Sequence, residues 1–168
     1  NTYIYNNSME NINLGVAAIP TFSMTSNNTV IADNLFFNIS AQPVFLSSAS
    51  FSRVYNNTIN GTPSEGIRVT GRHITIFDNI IHNANNGILA SSATNTSTYG
   101  NTIINSSNDG NQYSQSNGSI YNNFIQLVNQ YSGIELNTVR STVIDNNTIS
   151  NVTSQFDPDG GGIVLFSS

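Results

Sequence analysis

An apolar residue followed closely by Asn recurs along this chain at an almost constant interval. If the last Asn of each copy is taken as an anchor, successive anchors are separated by 27, 23, 22, 22, 22 and 24 residues. Self-similarity at a period of this size is typical of solenoids, in which each unit buries its apolar side against its neighbours. The anchors are Asn7, Asn34, Asn57, Asn79, Asn101, Asn123 and Asn147.

Two further columns keep step with the anchors. The residue two positions after each anchor is apolar in every copy, as at Ile59, and a Gly-Ile-like pair such as Gly66-Ile67 follows in most copies. Within a copy, apolar and polar residues alternate, and a period of two is typical of half-buried strands. The sequence therefore predicts three short strands in each copy, separated by sharp corners.

The Ile-x-Asn-Asn-x-Ile and Gly-Ile-x-Leu phrases resemble the repeats of right-handed parallel β-helix proteins, which include pectate lyases and related carbohydrate-binding and sugar-cleaving proteins. The resemblance covers residues 2–168. It implies an all-β fold, a solenoid of about seven coils with three short parallel sheets. We expect residues 1–168 to form a single β-helix domain, either a segment of a longer solenoid or a subunit that stacks end to end. Because this scaffold hosts lyases, hydrolases, epimerases, adhesins and structural proteins, it does not by itself predict an activity.

The resemblance places each anchor at a corner between two strands, where stacked amides would form an asparagine ladder. We expect the anchor itself to adopt the left-handed conformation that Asn tolerates. The Gly before the next strand is expected at a corner that needs either a positive φ or close packing. Asp33, Asp78 and Asp145 are interpreted as further corner residues that precede an anchor. These columns are therefore predicted to be structural, and no catalytic residue is assigned.

The scarcity of charge excludes several classes of function. Four Arg and no Lys, with a net charge of −5, cannot form the basic surface that nucleic-acid binding needs. Without Cys there is no disulfide framework and no thiolate site. The apolar runs are only a few residues long, too short to span a membrane. Asn is 29 of the 168 residues, but an apolar content of 38% is enough for a core and argues against disorder.

In this family the ligand groove usually lies along the outer face of the strand that follows the Gly. The resemblance therefore directs the search for a site to that face, and a period of two identifies its outward residues. Gln112 joins the row if the degenerate fifth copy keeps register. A Ca²⁺-dependent lyase would need several carboxylates there, but Arg68 and Glu135 are three coils apart and no Asp is expected to join them. The candidates for glycan contact are Phe45, Arg68, Gln112, Glu135 and Phe166.

Metal and cofactor sites receive little support from the sequence. Asp157 and Asp159 lie in the longest insertion and are the candidates for a Ca²⁺ loop, although Pro and Gly there also suit an exposed turn. His73 and His82 fall in different segments of successive copies, without a recognisable metal partner. No other cofactor is expected.

Ten Asn-x-Ser/Thr sequons occur, against about seven expected by chance from this composition. Such sequons indicate exposed loops in secreted chains, and the scarcity of charge agrees with an extracellular or cell-surface location. The candidates for N-glycosylation are Asn27, Asn38, Asn60, Asn95, Asn105, Asn117 and Asn151.

Two functional hypotheses follow. The first is an extracellular structural or adhesive β-helix glycoprotein without catalysis of its own, which binds a polysaccharide or assembles end to end into filaments. Its expected partners are further coils, from flanking sequence or a second copy, and a glycan, with no nucleic acid. The alternative is a polysaccharide lyase or epimerase that acts on an acidic polysaccharide.

Overall fold

The computed structural model describes residues 1–19, 26–153 and 161–166, and its regular structure there consists of twenty-one short strands. The first sheet contains β1 (Thr2–Tyr5), β4 (Thr29–Ala32), β7 (Arg53–Tyr55), β10 (Thr75–Phe77), β13 (Thr96–Tyr99), β16 (Gly118–Tyr121) and β19 (Thr142–Asp145). The second sheet contains β2 (Ser8–Glu10), β5 (Leu35–Phe37), β8 (Thr58–Asn60), β11 (Ile80–His82), β14 (Thr102–Ser106), β17 (Phe124–Val128) and β20 (Thr148–Val152). The third sheet contains β3 (Val16–Ala18), β6 (Val44–Ser50), β9 (Ile67–Arg72), β12 (Ile88–Thr94), β15 (Asn111–Ser114), β18 (Ile134–Asn137) and β21 (Ile163–Phe166).

Every strand pairs in parallel with the strand one coil away, so each sheet has seven strands in order along the stack. The chain visits the three sheets in turn, which is the architecture of a parallel β-helix. The prediction of an all-β solenoid with three parallel sheets is confirmed. The described part of the chain contains no helix that is long and apolar enough to cross a membrane.

The core is a continuous column of apolar side chains between the three sheets. Val54 and Ile76 from the first sheet, Ile59 from the second and Ile67 from the third are completely buried. Their equivalents in the terminal coils, such as Ile4, are only partly buried because they have a neighbour on one side alone. A coil of this size has no core of its own, so burial depends on stacking, and the core is as long as the stack.

The Gly column is explained by close packing rather than by backbone conformation. Positive φ among the described glycines is confined to Gly61, Gly71, Gly100 and Gly118, which lie outside the column. A Cβ at Gly66 would lie 2.8 Å from the carbonyl oxygen of Gly87 and 2.8 Å from Cγ2 of Ile81, both in the next coil. The repeated Gly and the repeated apolar residue after the anchor are therefore one packing contact.

The anchors form the predicted asparagine ladder, which we call the buried ladder. Asn79 shows the pattern: its backbone N–H and its Nδ2 each donate to Oδ1 of Asn101, at 3.0 Å in both cases. Its Nδ2 also donates to the carbonyl oxygens of Val54 and Phe77, at 3.0 Å in both cases. The same cross-coil bonds begin at Asn7 and end at Asn147. Each anchor amide thus satisfies backbone groups that the corner takes out of the sheets.

One expectation about this corner is wrong. The residue with positive φ is the one immediately before the anchor, with φ of 52° at Asn56 and 53° at Asp78. The anchor itself does not adopt the left-handed conformation. Asn is needed there because its side-chain amide makes the hydrogen bonds of the ladder. The left-handed position accepts Asn, Asp or Gly, the residues that tolerate it, and Gly100 takes it in the fifth copy.

The interpretation of Asp145 as a corner residue is wrong, because Asp145 is the last residue of β19. It pairs with Tyr121 in the first sheet, while Asn146 takes the left-handed position with φ of 48°. Asp33 and Asp78 do occupy the left-handed position, with φ of 57° and 53°. They are exposed corner residues, as expected.

The degenerate fifth copy keeps its register through a buried polar pair. Asn111 replaces the usual Ile in the third sheet, and Thr98 replaces the usual apolar residue in the first. Both are completely buried, and Asn111 Nδ2 donates to Thr98 Oγ1 at 2.9 Å. Because the two polar exceptions bind each other across the core, the cost of burying each is reduced.

Candidate ligand-binding face of the third sheet

The outer face of the third sheet carries the residues that the alternation predicted. The register pairs Phe45 with Arg68, Arg68 with Leu89, and Gln112 with Glu135. Gln112 is also paired with Leu89, which confirms that the fifth copy remains in step. Four of the five candidate residues therefore lie in one row along the stack. Phe166 lies in the next outward row, where it pairs with Asn137.

Phe45 and Arg68 form one end of this row. The guanidinium carbon of Arg68 lies 5.4 Å from the centroid of the Phe45 ring, a cation–π contact that covers one face of the ring. Arg68 is half-buried, and its Nε is buried without a hydrogen-bond partner among the described residues. A sugar ring could therefore stack on Phe45 only from the side that Arg68 leaves open. A ligand would meet the terminal nitrogens of the guanidinium rather than its buried Nε.

Glu65 sets the charge next to Arg68. Burial raises the pKa of Glu65, but hydrogen bonds from Ser64 at 2.7 Å and Gln42 at 2.9 Å, with the positive charge of Arg68, bring that pKa below its usual value. Glu65 is therefore an ionised carboxylate at neutral pH. The Phe45 end of the row combines an aromatic ring, a guanidinium and a carboxylate.

The other end of the row contains a pair of buried carboxyl groups. Asp109 is 1% exposed and Glu135 is 6% exposed. Burial, and then the charge of Glu135, raise the pKa of Asp109 to about 7. Glu135 accepts a hydrogen bond from Gln112 Nε2 at 2.6 Å, while Asp109 accepts from the backbone N–H of Ser132 at 3.0 Å. This end can hold a proton near neutral pH beside a second carboxylate.

The expectation that no Asp would accompany Glu135 is therefore wrong. Asp109 lies directly before Gly110, where Glu65 precedes Gly66 and Asn86 precedes Gly87 in their own copies. The position before the Gly is the last residue of the corner, and its side chain faces the outward residues of the third sheet in neighbouring coils. Asn86 shows this contact, because its Nδ2 donates to Asp109 at 3.2 Å and to Gln112 at 3.1 Å. In the sequence, the column of residues directly before the repeated Gly was the signal that could have identified Asp109.

Metal binding gains no support from these contacts. Among the described residues there is no group of three or more His, Asp or Glu side chains arranged to hold an ion. Asp157 and Asp159, the candidates for a Ca²⁺ loop, lie outside the described residues.

The glycosylation candidates differ in exposure. Asn60 and Asn117 are half-buried, and the amide of Asn105 already donates to Oδ1 of Asn83 at 2.7 Å. An acceptor needs an accessible amide nitrogen, so exposure separates stronger candidates from weaker ones. The exposed candidates are Asn27, Asn38, Asn95, Asn105 and Asn151.

A stack of aromatic rings on the first sheet was not predicted. Tyr55, Phe77, Tyr99 and Tyr121 stack in series with centroids 4.8 to 5.1 Å apart and ring planes within 13° of parallel. The residue two positions before the anchor was the available signal. Because the rings cover each other's faces, they present mainly edges to solvent, and the stack is better suited to holding coils together than to receiving a sugar.

The comparisons with known proteins agree with this architecture. A family model described as "Right handed beta helix region" matches residues 1–125. Neither the comparison with curated proteins nor the comparison with solved structures found a match. The family match covers most of the chain, and the parallel coils, the Gly contacts and the buried ladder account for the repeat that produces it. The chain therefore belongs to the family of right-handed β-helix proteins.

Proposed function

We propose that this chain is an extracellular or cell-surface β-helix module with a structural or adhesive role, which binds a glycan along the outer face of its third sheet without catalysis of its own. The observation that carries the proposal is the single row in which Phe45, Arg68, Gln112 and Glu135 stand in register. Phe45, Arg68 and Gln112 are half-buried and can contact a ligand, whereas Glu135 is 6% exposed and holds Gln112 in place through their hydrogen bond. From Phe45 to Glu135 the row extends roughly 19 Å, at about 4.8 Å per coil. That length suits a linear ligand.

The chemistry of the face suits sugar hydroxyls better than a charged macromolecule. The neighbouring outward row consists largely of hydroxyl and amide side chains, including Ser91, Ser114 and Asn137, which are half-buried. Such groups donate and accept hydrogen bonds without a large net charge. With an aromatic ring and a guanidinium at one end, the face offers a sugar both stacking and hydrogen bonds.

An extracellular location is supported by the surface of the chain. Five of the seven proposed glycosylation sites are exposed, and the chain has only four basic residues and no Cys. Amides and hydroxyls provide most of the polar surface that keeps the stack in solution.

End-to-end assembly is the structural part of the proposal. Each anchor from Asn7 to Asn123 donates to the anchor of the following coil, so the ladder has a direction. A coil placed beyond Asn147 could accept its bonds, and a coil placed before Asn7 could donate to it. Analytical ultracentrifugation at increasing protein concentration tests whether a second copy supplies that coil. Species whose size increases with concentration support assembly, and a monomer at every concentration contradicts it.

Glycan binding is tested by screening the purified chain against neutral and acidic polysaccharides by affinity electrophoresis. Phe45→Ala and Arg68→Gln should each weaken retardation, whereas the matched controls Phe37→Ala and Arg53→Gln, on the other two sheets, should not. Retardation that is unchanged in both third-sheet variants, or absent for every polysaccharide, would contradict the proposal.

A catalytic function is favoured by one feature, the buried Asp109, whose pKa is raised to about 7 by burial and by the charge of Glu135. A general acid or base of this kind would suit a lyase or epimerase acting on an acidic polysaccharide. Substrate does not reach Asp109 in this conformation, since it is 1% exposed, and for that reason binding is placed first. Ultraviolet absorbance of unsaturated uronate products from pectin or alginate, lost in Asp109→Asn, would establish catalysis instead.

A further inference from the structure

A cleft of about 360 Å³ opens at the corner between the third and first sheets. It spans three successive coils, at the end of β12, between β15 and β16, and between β18 and β19. Left-handed turns at Gln115 and Thr138, with φ of 49° and 52°, direct the chain around this corner. The lining residues are Thr94, Gln115, Ser116, Asn117, Thr138 and Arg140.

The hydrogen bonds around the cleft fix which polar atoms can reach a ligand. The backbone N–H of Asn95 donates to Oδ1 of Asn117. Because a backbone N–H can only donate, its partner on the Asn117 side chain must be the oxygen Oδ1. The Nδ2 group of Asn117 is therefore the part of the amide that remains for other partners. Gln115 Oε1 accepts from the hydroxyl of Ser92 at 3.4 Å, and in this arrangement Nε2 is left for a ligand.

Ser116 does not add an acceptor to the cleft. It is 3% exposed, and its hydroxyl binds the N–H of Ala93 at 3.0 Å and the carbonyl oxygens of Ala90 and Ser114 at 2.9 and 2.8 Å. Its role is to hold the corner together. The polar groups that remain at the cleft are two amide NH₂ groups, the exposed guanidinium of Arg140 and the hydroxyls of Thr94 and Thr138, of which the second donates to Asn137 at 3.0 Å.

This set consists mainly of donors and carries one positive charge. None of the six lining residues is acidic, although the chain as a whole has a net charge of −5. A planar guanidinium flanked by NH₂ groups binds carboxylate, sulfate or phosphate through charge-assisted hydrogen bonds. A neutral sugar, which needs acceptors as well as donors, would be less well satisfied.

We propose that this corner cleft is a binding site for an oxyanion group, a carboxylate, sulfate or phosphate, carried by a small ligand. The cleft volume lies within the range of small-molecule sites, which is roughly 300 to 1,000 Å³, so there is room for a sugar ring that bears the anion. The site is separate from the outer face of the third sheet, and the two can be tested independently because they use different side chains.

The experiment uses protein made without N-glycosylation, because a glycan on Asn117 would block the cleft. Binding of sulfate, phosphate, glucuronate and glucose is followed by isothermal titration calorimetry in a buffer free of other oxyanions. We expect saturable binding of at least one anion, weakened by added salt, and none of glucose. Tighter binding of glucuronate than of the free ions identifies a sugar-borne anion, and equal binding identifies the free oxyanion.

Two variants and a matched control identify the site. Arg140→Gln removes the charge and Gln115→Glu introduces a carboxylate of nearly the same shape, so each should weaken anion binding by about tenfold or more. Arg53→Gln makes the same charge change on the first sheet and should leave affinity unchanged. Thermal unfolding checks that the variants fold. Absence of binding by every anion, equal losses in Arg53→Gln and Arg140→Gln, or unchanged affinity in both cleft variants would overturn the proposal.

Discussion

Two rows of stacked asparagines run along this molecule at the same spacing, and they differ in what their amides bind. The buried ladder contains Asn57, Asn79 and Asn101, all 0% exposed, and its amides bind backbone groups as well as one another. A second row, which we call the exposed amide row because its side-chain bonds lie at the surface, consists of Asn60, Asn83, Asn105 and Asn129, in or just after the strands of the second sheet. Its contacts from coil to coil are mainly bonds between side-chain amides, at 2.7 to 3.0 Å, with one long bond of 3.4 Å from Asn129 Nδ2 to the carbonyl oxygen of Ser106.

The two rows also run in opposite directions. In the buried ladder each Nδ2 donates to the next coil, whereas in the exposed amide row Asn83 donates back to Asn60 and Asn105 back to Asn83. Water can replace an exposed amide partner but cannot reach a buried backbone N–H. The comparison therefore teaches that burial and backbone contacts, rather than stacking itself, make an asparagine row stabilising.

The largest expected effect comes from breaking the buried ladder. Asn79→Ala removes the acceptor for both the backbone N–H and the Nδ2 of Asn57, at 3.1 and 3.0 Å. The Asn57 N–H is left without a partner, which costs about 1 to 3 kcal/mol. The carbonyl oxygens of Val54 and Phe77 also lose their bonds from the Asn79 amide, so we expect a total loss of about 4 kcal/mol in the free energy of unfolding. Urea denaturation measures it, and a loss below about 1 kcal/mol would contradict the account.

The next largest change in stability is expected when a buried charge is replaced with an amide. The folded-state pKa of Asp109 is raised from 3.8 to about 7, so its contribution to stability is present below about pH 4 and is lost as the pH rises to 7. Asp109→Asn should flatten this part of the pH profile. It should also stabilise the protein at pH 8 by on the order of 2 kcal/mol, because the charge penalty exceeds the cost of altered hydrogen bonds.

Thermal unfolding between pH 4 and pH 8 measures both features. Asp33→Asn is the control, since it removes a charge from an exposed corner where other copies already carry Asn. Parallel profiles for the wild type and Asp109→Asn would show that the buried carboxyl does not set the slope.

A smaller effect is expected at the residue beside the ladder. Asn56 has φ of 52°, and its column accepts Gly100 in another copy. Asn56→Ala should cost about 1 kcal/mol because Ala is strained in the left-handed region. Asn56→Gly should cost less than that. Equal losses in the two variants would show that the Asn56 side chain, rather than the backbone conformation, matters there.

The smallest effect is expected in the exposed amide row. Asn83→Gly removes both side-chain bonds of Asn83 while preserving its left-handed turn, for which φ is 56°. We expect a loss of about 0.5 kcal/mol, since water replaces the exposed amide partners. Chemical denaturation beside Asn79→Ala gives the direct contrast within one coil. A loss as large as that of Asn79→Ala would remove the distinction between the two rows.

The sequence predicted what every copy must retain. The anchors are recognisable because each must satisfy the same buried backbone groups, and the Gly column because a Cβ at Gly66 or Gly87 would meet the next coil. The exposed amide row was not predicted because its members follow their anchors at irregular separations in the sequence. Asn60 is three residues after its anchor, and Asn129 is six residues after its own. Exposed side chains need not keep register.

The candidate site was predictable in its outline and not in its electrostatics. The resemblance indicated the face, and the Gly-Ile column with the alternation placed Phe45, Arg68 and Glu135 on it. The raised pKa of Asp109 depends on burial and on Glu135 in another coil, which no local pattern contains. The corner cleft was missed because Arg140 lies in the chain 23 residues after Asn117, and only the stacking of coils brings their surroundings together.

The central claim is that the side chain of each buried anchor holds the backbone N–H of the preceding one. Native-state hydrogen exchange at the Asn57 amide, followed by NMR, tests it in the wild type, Asn79→Ala and Asn83→Gly. We predict strong protection in the wild type and in Asn83→Gly, with exchange at least about a hundredfold faster in Asn79→Ala. Unchanged protection of the Asn57 amide in a folded Asn79→Ala protein would contradict the account.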